Sequence, residues 1–151
     1  MSILTFIASD NPLVEIAPSQ NNLLGIHTDD DTVYDGCADD DYFLCAFTDA
    51  ESYTQKRYAV YFEWNYTEGR AKRVIDYIRK ALQDTDSIEF WHVWLMDYDE
   101  FEDRPVVHRS TVSISELTTA HIKDIDCADI WNTPDKRYPN RPSFYCMEIK
   151  R

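Results

Sequence analysis

The chain has 151 residues, 44% hydrophobic and 14% aromatic, enough apolar matter for one core and too aromatic for an acidic disordered chain. Its formal net charge of -13 is uneven: eleven carboxylates precede the first basic residue, Lys56, which leaves -11 before that point and -2 after it (15 basic minus 17 acidic). Such a field excludes nucleic acid as a partner of the N-terminal segment, since phosphates are held by Lys and Arg, and no apolar run approaches the roughly 20 residues of a membrane span.

Ser2 to Ala8 is rich in β-branched and aromatic residues and reads as a strand, broken by Asn11-Pro12. Leu13 to Ala17 alternates like a second short strand. Between Ser19 and Ala38, Leu23, Leu24 and Ile26 form either one helical turn or loop anchors, and Asp35-Gly36 marks a turn. Tyr42 to Phe47 is a strand by composition, and Thr48 to Gln55 reads as a loop. From Tyr58 to Trp64 the even positions are all apolar or aromatic, a period of two that marks a strand with one buried face.

Thr67 then stands as a helix N-cap, with Glu68 in the first turn where it complements the helix dipole. Ala71, Val74, Ile75, Ile78 and Leu82 recur at helical spacing, so the main amphipathic helix is expected over about residues 68–83, packed on one face of a sheet. Arg70, Lys72, Arg73, Arg79 and Lys80 are read as its basic outer face. Glu68–Lys72 and Asp76–Lys80 are its acid-first pairs.

Ile88 to Met96 is apolar on both faces, as a strand covered on both sides is. Asp97 to Pro105 is an acidic loop, and Val106 to Ile114 alternates again. These two strands are expected to pair as an antiparallel hairpin. Ser115 or Thr118 caps a short helix through Ile122 and Ile125, and a proline-rich stretch leads to a last strand, Phe144 to Ile149. The order implies a single α+β domain over residues 1–151, with a mostly antiparallel sheet, one main helix on one face and short helical segments.

Catalytic and cofactor motifs are missing. The three glycines, Gly25, Gly36 and Gly69, are too dispersed to cradle a phosphate, and no nucleophile elbow, Walker loop or zinc-protease motif is present. No cofactor is expected. The four cysteines lack metal-ligand spacing, and without a secretory signal they are expected as free thiols of a cytoplasmic protein. Asp29 to Asp31 and Asp39 to Asp41 suggest a divalent-cation loop, but an EF-hand register gives them only a glycine at its sixth position.

Two readings concern the histidines and the acids. His92 lies among Phe90, Trp91 and Trp94, the setting of a neutral, hydrogen-bonded core histidine. Its alternative is an enzyme site formed with His108 on a neighbouring strand and nearby carboxylates. The leading expectation is a non-catalytic binding module, comparable to inhibitors and immunity proteins that neutralise basic partners. Its binding surface is expected at Asp29, Asp30, Asp31, Tyr34, Asp39, Asp40, Asp41, Tyr42 and Tyr53, where tyrosines interleave with acids. The partner on this reading is a basic protein, and neither nucleic acid nor a membrane.

Overall fold

The computed structural model describes residues 3–17, 25–26, 33–34, 42–62, 64–95, 105–131 and 142–151. Strands β1 (Ile3–Ser9), β4 (Leu44–Ala46), β5 (Tyr58–Phe62), β6 (Ser87–Trp94), β7 (Val107–Ser113) and β8 (Phe144–Lys150) form one sheet in the order β4-β5-β1-β6-β8-β7. A separate pair joins β2 (Gly25–Ile26) to β3 (Val33–Tyr34). Helices α1 (Glu68–Ala81) and α2 (Thr119–Asp126) complete an α+β domain. No helix among the described residues is long and apolar enough to cross a membrane.

The alternation of each strand separates two cores. On one face, Ile7, Val60, Phe62, Ile88, Phe90, Met147 and Ile149 meet Val74, Ile75 and Ile78 of α1 and Ile122 and Ile125 of α2. On the other, Phe6, Trp91, Phe144 and Cys146 are covered by Phe47, Ala50 and Tyr53. Here Phe6 stacks on Trp91 at 5.9 Å between ring centroids. The stretch Thr48–Gln55, expected as loop, thus contains a 3-10 helix, Thr48–Ser52, that closes the second core.

Local chemistry sets both helix starts. Thr67 caps α1 by accepting the Arg70 N–H at 3.1 Å. Thr118 caps α2, and His121 Nδ1 reaches back to accept the Thr118 N–H at 3.1 Å. A basic outer face for α1 is correct only in part. Lys72, Arg73, Arg79 and Lys80 are exposed, whereas Arg70 is 2% exposed and donates to the Asn65 carbonyl at 2.7 Å. Asp76 pairs with Arg79 at 2.7 Å, one residue short of the expected Lys80.

Two strand expectations are overturned. Leu13 to Ala17 forms no strand, only the single bridge Ile16↔Leu44. The expected hairpin of β6 with β7 does not form, because β8 lies between them, antiparallel to β6 and parallel to β7. The reason is burial. Cys146, Met147 and Ile149 of β8 are at most 2% exposed, as a strand apolar on both faces requires. In β7, by contrast, Arg109, Ser110 and Thr111 are exposed, which suits the sheet edge. Helix α2 then makes the crossover that a parallel pair needs.

Candidate functional site

Four segments meet on the helix-covered face at one end of the central strands. Beyond β5, Trp64, Asn65 and Tyr66 run toward the Thr67 cap. Ile3 and Thr5 come from β1, His92 from β6, and Asp126 and Cys127 from the end of α2. Together with Phe62 they line an open cleft of ≈ 360 Å³. Thr5 and His92 are direct partners across the β1–β6 ladder and so point to one face.

A chain of hydrogen bonds forms the cleft floor. The Thr5 hydroxyl donates to Asp126 Oδ1 at 2.8 Å, and Trp64 Nε1 donates to the same oxygen at 3.2 Å. Thr5 Oγ1 also lies 2.9 Å from His92 Nδ1. Thr5 has one hydroxyl proton, so which of Oγ1 and Nδ1 donates follows the imidazole tautomer. Thr5 and His92 are 6% and 4% exposed, so neither exchanges its partner for water.

Burial holds the His92 pKa below the ordinary imidazole value, opposed by the Asp126 charge and a hydrogen bond to the Ala128 backbone. The ring is therefore neutral at neutral pH, held between protein partners, and built as a structural group. Cys127, on the rim, has its thiol pKa raised by burial and by the Asp126 and Asp124 charges, against a lowering from Lys123. A thiol so disposed is a poor nucleophile.

Aromatic rings form the walls. Trp64 stacks on Phe62 at 4.9 Å with 22° between planes, and Tyr42 packs against Trp64 at 6.5 Å. Tyr66 donates to Glu68 Oε2 at 3.1 Å, and Lys123 Nζ lies 5.8 Å from the Tyr66 ring centre. Glu68 is held below the usual carboxylate range, first by the hydrogen bond from Thr119, at 2.8 Å, and then by Tyr66 and the nearby lysines.

The histidine pair expected from sequence is not adjacent. In the ladders, His92 pairs with Tyr145 and Tyr145 with His108, so both histidines share a face with a tyrosine between them. Two strand spacings separate them by about 10 Å. His108 stacks on Tyr145 at 4.9 Å. The carboxylate joined to His92 is Asp126, through Thr5.

On the opposite face, Glu89 collects Thr54, Trp91 and Arg109. Trp91 Nε1 donates to Glu89 Oε2 at 2.8 Å, and Arg109 lies 5.1 Å from the Trp91 ring and 3.8 Å from Glu89 Oε1. Cys146 beneath them is pushed up to about 12 by burial first and by the Glu89 charge. This group ties the edge strand to the sheet.

Of the expected binding surface, Asp29, Asp30, Asp31, Asp39, Asp40 and Asp41 lie outside the described residues, and Tyr34 falls in β3. Tyr42 is half-buried, its hydroxyl donating to the Arg73 carbonyl at 3.5 Å. Tyr53 is packed against Phe6, Phe47 and Phe144 and donates to the Trp94 carbonyl at 3.2 Å, so its ring belongs to the second core. Sequence reasoning missed Thr5, Trp64, Tyr66, Asp126 and Cys127. The bonds that join Thr5, Trp64, His92 and Asp126 span 62 to 121 residues, and no local pattern encodes them.

Comparison of the chain with protein-family models, with curated proteins and with solved structures finds no match.

Proposed function

We propose that this is a small non-catalytic binding protein whose acidic surface engages a basic protein partner. The observation that carries the proposal is the charge distribution, -11 of the net -13 before Lys56. A concentrated field of one sign speeds encounter with a partner of the opposite sign and disfavours wrong partners. Geometry supports it from the other side. The histidine at the cleft is buried and bonded, and Cys127 is disfavoured as a thiolate. The two histidines proposed for an enzyme site are separated by Tyr145.

Part of the acidity near the N-terminus is used within the fold. Asp10 pairs with Lys56 at 2.7 Å, and Glu15 Oε1 accepts the Ala46 N–H at 2.8 Å. Asp49 and Glu51 are exposed on the 3-10 helix. The six aspartates Asp29 to Asp31 and Asp39 to Asp41 are proposed as the remaining steering charge.

The test replaces those six with Asn and captures partners from native cell extract at low and moderate salt. The fold should persist, since removing like charges relieves repulsion. Capture of a basic protein should fall, chiefly through slower association, and lose much of its salt dependence. Equal capture by both proteins would reduce the acidic segment to a solubilising surface.

A further inference from the structure

The cleft itself points to a chemical class of occupant. Three independent features there favour positive charge. The first is the Asp126 carboxylate, whose Oδ1 is oriented by Thr5 and Trp64. Among the described residues no Lys or Arg lies within ion-pair distance of it. The second is the C-terminal end of α2, which places the negative pole of that helix beside the same carboxylate. The third is the aromatic lining of Trp64 and Tyr66, rings that attract cations, with Phe62 covered beneath Trp64.

The buried side of the cleft leaves that charge in place. His92 is neutral, because burial outweighs the pull of Asp126. Among the described residues, two cations are held close to the cleft's lining. Arg70 is buried and engaged with the Asn65 carbonyl. Lys123 is exposed and lies over Tyr66, so one of the lining rings already faces a cation of the chain itself.

The geometry points to the cleft as the seat of one arginine side chain from a basic partner. This rests on the proposed function and deepens it. A planar guanidinium can bond a carboxylate and lie against an aromatic ring at once, which a compact ammonium does less well. The ≈ 360 Å³ volume, near the lower end for small-molecule sites, suits a single side chain. Asp126 is then the charge-pairing group, Trp64 and Tyr66 the ring contacts, and Thr5 and His92 the positioning residues that fix Asp126.

The experiment titrates N-acetyl-arginine N-methylamide, which has no charged ends, into uniformly ¹⁵N-labelled protein. The signal followed is the Trp64 indole N–H, assigned through Trp64→Phe. A saturable shift in the millimolar range is expected. The isosteric neutral citrulline derivative should bind at least about tenfold more weakly, since it keeps the shape and loses the charge. Asp126→Asn should weaken the arginine derivative by a similar factor while Asn Oδ1 still accepts from Thr5 and Trp64. Tyr66→Leu, which removes a ring and keeps apolar volume, provides a second variant and should also weaken binding.

A shift that fails to saturate below about 0.1 M, equal binding of the citrulline derivative, or unchanged affinity in both variants overturns the assignment. The six-Asn variant retains Asp126, so it should bind the probe normally. Lost partner capture with intact probe binding, or the reverse, therefore separates failure of one proposal from failure of the other.

Discussion

Thr5→Val removes one hydroxyl from a site that is 6% exposed and changes little else in shape. The hydroxyl is the middle of the chain His92–Thr5–Asp126, with bonds of 2.9 and 2.8 Å. Its loss takes from Asp126 a hydrogen bond to a charged group, worth about 1.5–3 kcal/mol, and leaves His92 Nδ1 unpaired in a buried position at a cost of about 1–3 kcal/mol. Asp126 keeps its Trp64 donor and is half-buried, so the first figure belongs at its lower end. A net loss of about 2.5–4.5 kcal/mol follows, a large share of the roughly 5–15 kcal/mol of a typical domain. With an m-value of about 2 kcal/mol per molar urea, the midpoint should fall by about 1–2 M. Urea unfolding followed by tryptophan fluorescence measures this, and Thr5→Ser, which restores the hydroxyl, should recover most of the loss. A Thr5→Val midpoint indistinguishable from wild type would refute the claim that the network fixes Asp126.

Ile78, fully buried beneath α1, should cost about 2–5 kcal/mol on truncation to Ala, while Lys80→Ala on the exposed face should stay within about 0.5 kcal/mol; equal losses in urea unfolding would mean the helix is rotated. The folded pKa of His92 is depressed from its ordinary 6.5, so the unfolded chain binds more protons in the window between the two values. Stability should be fully present above about pH 6.5, decline as pH falls below it and level off beneath the folded pKa, and His92→Gln should flatten that slope in calorimetry. Cys45, Cys127 and Cys146 are free, and with Cys37 the denatured, unreduced protein should titrate four thiols; two would indicate a disulfide. In the native protein the exposed Cys127 should react well before Cys146, which is buried and pushed up to about 12.

The sequence by itself determined the parts whose signal is local. Alternation from Tyr58 to Trp64 marked β5, which ends two residues earlier at Phe62, the 3.6-residue stripe from Ala71 to Leu82 marked α1, and the two-sided apolar run from Ile88 marked a covered central strand. Thr67 was legible as a cap because capping is settled within three residues. Strand order was not legible, because β6 and β7 are near in sequence and a hairpin is the simplest link. Only the competition for the buried central position, won by the apolar β8 over the polar β7, placed β8 between them. The cleft depended wholly on that outcome. Thr5 and Asp126 have no local pattern, and His92 read alone is only a core histidine. They meet because antiparallel pairing registers Thr5 on His92 and the α2 crossover ends above them, so the site is a consequence of contacts distant in sequence.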